Sequence, residues 1–260
     1  MPTETPAPTT APADLAPEEW NRELRALRTL APPTRFPARI LVATAHPDDE
    51  TIGAGRLVAA ASHAGSHVAA LTATAGEACA PGGDPDPHLL ARTRLEEWRG
   101  ALGELGAEPL ETGRLPDGGL ADRAAALRRL LEEAAGRWRA EAIWTTWRGD
   151  PHPDHAAIGA ASRDVGRALG LEVVEFPVWT MTWLRPADVR DVGAELVHVP
   201  LDPANDAARD AALRRYRSQL EPLRDGWPPV VPARALARHG RQYLVVGADR
   251  ARDTSAQVRR

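Results

Sequence analysis

The sequence predicts an α/β fold, a Rossmann-like three-layer sandwich around a mainly parallel β-sheet. Short apolar runs typical of buried strands alternate with helical stretches of about 12 residues, which is the pattern of βαβ units with parallel strands. Neither an internal repeat nor a second linker interrupts the alternation, and this favours one domain. Ligands of open parallel sheets bind beyond the carboxyl ends of the strands, so we expect the active site there.

The apolar runs that predict strands are Arg39–Ala45, His67–Thr74, Glu108–Leu115, Glu141–Trp147, Leu171–Phe176, Glu195–Val199 and Gln242–Val246. Helical spacing predicts helices over Thr51–Ala64, His88–Leu105, Leu120–Arg139, His155–Leu169 and Pro203–Leu220. The alternation weakens after Pro177.

One α/β domain, residues 17–250, is expected between two tails. Residues 1–16 are mostly Pro, Thr and Ala, which predicts a disordered N-terminal tail, and residues 251–260 form a C-terminal tail. The domain would begin with an amphipathic helix that carries Trp20, Leu24, Leu27 and Leu30 and ends at the Pro32-Pro33 pair.

Composition excludes several classes of protein. All 32 basic residues are Arg, so lysine Schiff-base chemistry is excluded, and the single cysteine excludes an intrachain disulfide or a Cys-based zinc site. A net charge of −4 argues against a nucleic-acid or anionic-membrane partner. No apolar run approaches the ~20 residues of a membrane span. Without a secretory signal at the N-terminus, we expect a cytoplasmic protein.

Polar clusters follow four of the expected strands. They are His46–Glu50, Gly76-Glu77, Leu115–Gly118 and Asp150–His155. Because the carboxyl ends of parallel strands share one edge of the sheet, these clusters should converge on a single cleft.

Two of these clusters contain the residue types that bind a catalytic metal ion. Such a site needs about three protein ligands with one position open for water, whose pKa the metal lowers to roughly 7. His46, His155 and the carboxylate of Asp49 would supply that set, and Asp48 would be the general base. Spacing alone does not decide which of the two aspartates is the ligand.

The second cluster offers further catalytic groups. His152 would donate a hydrogen bond to the developing oxyanion, and Asp154 would orient His152 or His155. Each motif alone also fits a turn or a helix cap, Asp154 included. Capping needs one residue rather than five, so the two clusters together favour a metal site.

Ala45–Glu50 (AHPDDE), followed by Thr51–Gly53, and His152–His155 (HPDH) resemble motifs of the LmbE-like, or PIG-L, family of zinc-dependent de-N-acetylases. Weaker matches are Thr74–Glu77 (TAGE), Arg94–Glu97 (RLEE), Leu115–Gly118 (LPDG) and Arg217–Gln219 (RSQ). The resemblance spans roughly Arg39 to Gln219, and its first two motifs are specific in combination.

The resemblance implies a role for each site residue. His46, Asp49 and His155 would bind Zn²⁺, with Fe²⁺ as the alternative metal. Asp48 would activate the water as general base, His152 would stabilise the oxyanion, and Asp154 would support His152. Arg94 lies where the family carries an arginine that contacts the substrate.

The implied substrate is a small N-acyl amino sugar, an N-acetylglucosamine unit on a lipid, an inositol or a natural-product aglycone, and the reaction is amide hydrolysis. An amidase that acts on mycothiol-like thiol S-conjugates is the alternative within the family. An Fe(II) oxygenase is a less favoured hypothesis, because it needs no general base such as Asp48 beside the ligand and its ligands usually lie on a β-scaffold. A sugar-binding module without turnover is also less favoured, because it has no use for Asp48 and His152.

Two segments depart from the family pattern. The loop Glu77–Pro87 matches no fixed motif, and we expect it to shape the substrate pocket. Trp179 and Trp183 lie in a tryptophan-rich stretch and are expected to pack in the core or at the rim rather than stack on a sugar.

Overall fold

The computed structural model describes residues 15–80, 85–111 and 115–247. Its strands are β1 (Arg39–Thr44), β2 (His67–Thr72), β3 (Glu108–Glu111), β4 (Ala142–Thr146), β5 (Glu172–Phe176), β6 (Glu195–Val199) and β7 (Gln242–Val246). Its helices are α1 (Pro17–Ala26), α2 (Asp49–His63), α3 (Pro87–Leu105), α4 (Ala124–Trp138), α5 (Pro153–Leu169), α6 (Thr180–Trp183), α7 (Pro186–Asp191), α8 (Ala204–Leu213), α9 (Arg217–Leu220) and α10 (Ala233–Arg238). None of these helices is long and apolar enough to cross a lipid bilayer. The expected tails, residues 1–16 and 251–260, lie outside the described residues except for Leu15 and Ala16.

The described strands form one seven-stranded sheet in the order β3-β2-β1-β4-β5-β7-β6. The strands from β3 to β5 are parallel to their neighbours, and only β7 runs antiparallel, to both β5 and β6. β1 is central in the parallel part, with Val42 paired to Ala70 of β2 and to Trp144 of β4. The predicted three-layer α/β fold with a mainly parallel sheet is confirmed.

Helices cover both faces of this sheet. Ile40 and Val42 of β1 pack into a cluster with residues of α2, α3 and α8, whereas Leu41 and Ala43 pack against α4 and α5. Because a central strand is covered on both faces, its residues are apolar without alternation. The continuous apolar run at β1 is therefore the sequence pattern of a strand in the middle of the sheet.

The first helix ends earlier than its apolar spacing predicts. α1 stops at Ala26, and residues 28–30 run beside β6, where Leu30 N–H donates to the His198 carbonyl at 2.8 Å and His198 N–H to the Arg28 carbonyl at 2.9 Å. An edge strand otherwise leaves its backbone groups unpaired. The prediction of one helix through Leu30 was wrong because these residues pair with the sheet edge.

The helix predicted over Pro203–Leu220 is two helices. α8 ends at Leu213, and Tyr216 lies between α8 and α9 with φ −85° and ψ 59°, outside the helical range. The break turns the Tyr216 hydroxyl into the core, where it donates to the buried Glu50 carboxylate at 2.7 Å.

The region after Pro177 contains three short helices, α6, α7 and α10, that the weak pattern did not predict. α6 and α7 contribute Met181 and Val189 to a separate apolar cluster at the antiparallel end of the sheet, which also buries Trp20 of α1. The core of this end is therefore built from segments far apart in the chain.

We expect Gly159→Ala to destabilise the fold, because α5 approaches the end of β4 closely at Gly159. An added Cβ would clash with the Thr146 carbonyl oxygen and would lie 2.7 Å from the Arg148 backbone nitrogen. Backbone atoms cannot rotate away, so we expect a loss of roughly 1–3 kcal/mol in the free energy of unfolding. In α4, Gly136 has open space around the same position. Gly136→Ala is therefore the matched control, expected to be stabilising by up to about 1 kcal/mol. Equal denaturation midpoints for the two variants would contradict this packing.

Candidate active site

The carboxyl ends of β1 to β4 meet at a pocket of about 300 Å³. It is lined by five of the seven predicted site residues: His46, Asp48, Asp49, Arg94 and His152. His155 and Asp154 are fully buried behind its wall. The expected convergence of four loops on one cleft is therefore observed.

His46, Asp49 and His155 bring three donor atoms to one point. His46 Nδ1 lies 3.1 Å from His155 Nε2, which lies 3.1 Å from Asp49 Oδ1, and His46 Nδ1 lies 3.5 Å from Asp49 Oδ2. Donor atoms bonded to one ion at about 2.1 Å are about 3.0 to 3.4 Å apart. Asp48 does not join this group, since its carboxylate lies on Arg94.

The hydrogen bonds of the two imidazoles decide which nitrogen of each carries a lone pair. His46 Nε2 lies 3.0 Å from Asp117 Oδ1, and His155 Nδ1 lies 3.2 Å from Asp150 Oδ1. A carboxylate only accepts, so each of these outer nitrogens carries the proton in the neutral ring. The inner nitrogens of His46 and His155 then face each other at 3.1 Å as two lone pairs. A cation between them fits this arrangement, and an outer carboxylate is the usual second partner of a metal-binding histidine.

Two other groups of possible ligands lie close together, His46 with His152 and His155, and His46 with Asp117 and Asp154. In the first group, His152 Nδ1 already accepts a hydrogen bond from the Asp154 backbone N–H at 3.2 Å. In the second, Asp117 and Asp154 face the protonated side of His46. In the set of His46, Asp49 and His155, His46 Nδ1 and His155 Nε2 face each other beside Asp49 Oδ1, while Asp49 Oδ2 accepts the His46 backbone N–H.

Asp48 has the environment of a general base. Burial and the nearby Asp49 charge raise its pKa to about 7, while Arg94, 3.4 Å from its carboxylate, opposes the rise. Its backbone is also strained, with φ +132° at a residue that is not glycine. Arg94 fixes this turn by donating to the Pro47 carbonyl at 2.9 Å and the Gly76 carbonyl at 2.6 Å.

Gly76 is required for the Arg94 contact. Its φ is +66°, and a Cβ at this position would overlap the guanidinium group. The TAGE motif therefore gives Arg94 room to reach the turn that holds Asp48.

His152 caps the N-terminus of α5 rather than Asp154, which lies in its first turn. Because His152 Nδ1 accepts the Asp154 N–H, Nε2 carries the proton of the neutral ring. Burial and the charges of His155 and His46 lower the pKa of His152 to about 3. The ring is therefore a neutral hydrogen-bond donor in the wall of the pocket.

The Asp154 carboxylate contacts His46 and not the two histidines of its own motif. Its carboxylate accepts from the Gly118 and Leu120 N–H groups at 2.8 and 3.0 Å and lies 3.4 Å from His46 Nε2. The carboxylate that contacts the outer nitrogen of His155, Nδ1, is that of Asp150. Sequence reasoning assigned no role to Asp150 or Asp117, although both belong to motifs that it singled out.

Aromatic rings line one side of the pocket. Trp183 stacks on His152 with ring centroids 6.0 Å apart, and Trp179 stacks on Trp183 at 4.6 Å. Both are half-buried rim residues, and Trp227 adds a third indole. Ala78 and Cys79 of the loop Glu77–Pro87 also line the pocket, whereas its residues 81–84 lie outside the described ranges.

We expect metal affinity at this site to rise with pH. Although burial opposes charging, Asp49 and Asp150 raise the pKa of His155 to about 9, and carboxylates likewise raise the pKa of His46 well above its usual range. A metal ion must displace these protons, so affinity should rise between pH 6 and 9 by about tenfold per pH unit for each proton released. Competition with a chelator of known affinity at each pH measures this. An affinity that is constant over the range would contradict the assignment of His46 and His155 as ligands.

Parts of the chain are similar to known proteins. Residues 41–165 match the family model PIG-L, GlcNAc-PI de-N-acetylase. The chain is 29% identical over 238 residues to the 1D-myo-inositol 2-acetamido-2-deoxy-alpha-D-glucopyranoside deacetylase of Mycolicibacterium vanbaalenii, covering 73% of this chain and 83% of the relative. A Rhodococcus opacus protein of the same name is 39% identical over 99 residues, 34% of each chain.

A solved structure shares the fold. The A40926 pseudoaglycone deacetylase Dbv21 superimposes with a TM-score of 0.61 at 23% identity, covering 83% of this chain and all (100%) of that one. Its likeness confirms the architecture, and the family match confirms the resemblance that the motifs showed. The match to the PIG-L family model spans residues 41–165, the part of the chain that contains AHPDDE, HPDH and the three inner donor atoms.

Proposed function

We propose that this chain is a metal-dependent de-N-acetylase, a hydrolase that cleaves the amide of an N-acetylglucosamine-type sugar conjugate to acetate and a free amine. The observation that carries the proposal is the convergence of His46 Nδ1 and His155 Nε2 beside the Asp49 carboxylate, with Asp48 in the same pocket. The family description and the names of the two relatives support the choice of an acetamido sugar.

His46, Asp49 and His155 would hold the ion, and we propose Zn²⁺ with Fe²⁺ as the alternative. When bound, the ion supplies a Lewis acid that polarises the amide carbonyl and makes water a better nucleophile at neutral pH. With two imidazoles and one carboxylate as its protein ligands, the ion would keep a position for water.

Asp48 moves the proton. Its carboxylate takes a proton from the attacking water, whose oxygen forms a bond to the carbonyl carbon. The same carboxyl then gives the proton to the sugar nitrogen as the C–N bond breaks. A pKa near neutrality, which burial gives Asp48, suits a group that must both accept and donate.

His152 stabilises the oxyanion that forms between these two steps. Its protonated Nε2 offers a hydrogen bond from a neutral ring, so the donor does not lose its proton to Asp48. Asp154 supports both histidines, because its carboxylate contacts His46 and its backbone N–H donates to the His152 ring. Arg94 holds Asp48 and contacts the substrate from the pocket wall.

An amidase on thiol S-conjugates would use the same residues, so the two activities differ only in the substrate that the pocket accepts. Both relatives are named as deacetylases, which favours the acetyl substrate. An S-conjugated glucosaminyl amide in the same assay separates them. The cytoplasmic location and the absence of a nucleic-acid partner stay predictions from the sequence.

Asp48→Asn tests the proposal. Asparagine keeps the shape and tolerates the positive φ, so the protein should fold and retain its metal, whereas turnover should fall by about 10²–10⁴-fold because the proton acceptor is lost. Amine release from N-acetylglucosamine conjugates and metal content per chain are the two readouts.

Asp164→Asn is the matched control, since Asp164 lies on the exposed face of α5 and pairs with Arg167. It should keep full activity. Full activity of Asp48→Asn with intact metal would contradict the mechanism, and no amine release by the wild-type protein from any N-acetyl amino sugar would contradict the proposed substrate.

A further inference from the structure

Gln219, in the RSQ motif, has no part in the reaction above, yet its side chain lines the pocket. The residue is 0% exposed to solvent. Its Oε1 atom has no hydrogen-bond partner among the described residues. A buried carbonyl oxygen without a partner destabilises the fold unless a ligand or water satisfies it, so this atom points to a ligand.

The neighbours of Gln219 fix which way its amide faces. Ser218 donates both its backbone N–H, at 2.9 Å, and its hydroxyl, at 2.6 Å, to the Glu97 carboxylate. Because the hydroxyl proton is committed to Glu97, the Ser218 oxygen must accept from Gln219. The Gln219 atom 2.9 Å from it is therefore Nε2, and Oε1 is the free atom.

A second buried polar atom of the pocket also lacks a partner. Arg94 is 3% exposed, and although its two terminal nitrogens donate to backbone carbonyls, its Nε has no partner among the described residues. The pocket wall thus holds a free acceptor on Gln219 and free donors on Arg94 and, at the rim, on Trp183 Nε1. A hydroxyl group both donates and accepts, so it is the chemical group that complements such a wall.

We propose that Gln219 is a specificity-determining residue whose Oε1 accepts a hydrogen bond from a hydroxyl group of the amino-sugar ring. The proposal rests on the proposed function, since it takes the sugar as the occupant of the pocket. Glu97 and Ser218 are positioning residues, because they hold the amide with its oxygen available. The RLEE and RSQ motifs meet in this contact: α3 carries Arg94 and, one turn later, Glu97.

A cycle between enzyme and substrate tests this contact. kcat/KM is measured for the wild type and Gln219→Leu on an N-acetylglucosamine glycoside and on its 3-, 4- and 6-deoxy analogues. We expect the wild type to lose roughly tenfold on one deoxy analogue. Gln219→Leu should lose a similar factor on the parent sugar and nothing further on that analogue, because the bond is already absent.

Two variants separate recognition from structure. Ser218→Ala frees the amide to turn and should give part of the Gln219→Leu effect on the same analogue. Gln242→Leu removes another buried glutamine, whose amide donates to the Gly53 carbonyl at 2.8 Å. It should lower thermal stability without changing the ratio between parent and deoxy substrates.

The outcomes distinguish this inference from the proposed function. An active wild type with Gln219→Leu reduced equally on all four sugars, or unchanged, would overturn the role of Gln219 and leave the deacetylase standing; the unchanged case means that only water occupies the site. A wild type inactive on every sugar would overturn the deacetylase and the Gln219 contact together.

Discussion

The active site depends on the pairing of two buried imidazoles with carboxylates on their outer sides. Asp117 and Asp150 accept hydrogen bonds from the outer nitrogens of His46 and His155, so the inner nitrogens of the two rings face the same point as Asp49. Buried carboxylates are costly unless they are paired and hydrogen-bonded. The pairing therefore holds together the loops that follow β1, β3 and β4. It also determines where a metal would bind, the charge of the pocket and the protonation of its histidines.

Asp150 extends this constraint to the substrate side of the pocket. One of its oxygens contacts His155, while the other accepts from the backbone N–H groups of Val178, Trp179 and Thr180 at 3.0 to 3.2 Å. Trp179 and Trp183 stand on that segment. A single buried carboxylate thus orients a metal ligand and positions the aromatic wall, so the chemistry and the shape of the pocket are not independent. Arg94 likewise has two roles, since it fixes the strained turn of Asp48 and lines the pocket.

Local patterns were sufficient for the parallel half of the fold and for the residues that converge. The apolar run of β1 and the AHPDDE turn after it are short-range features, and parallel strands must bring such turns to one edge. The partners of those residues could not be predicted. Asp117 and Asp150 meet His46 and His155 because of the conformations of the loops that carry them, and loop conformation leaves no periodic pattern in the sequence. The predictions of a helix through Leu30 and of one helix over Pro203–Leu220 were wrong for a related reason. The hydrogen bond of the buried Tyr216 hydroxyl to Glu50 and the backbone hydrogen bonds of residues 28–30 to β6 outweighed the helical spacing of the apolar residues.

The position of a bound metal shows whether His46, Asp49 and His155 are its ligands. Crystals of protein prepared without oxygen and loaded with zinc or iron give an anomalous-difference peak at the absorption edge of the ion. We expect one peak per chain, in contact with His46 Nδ1, Asp49 and His155 Nε2, and no peak in His155→Ala. A peak on His152, a peak between Asp117 and Asp154, or no peak in the loaded wild type would contradict it.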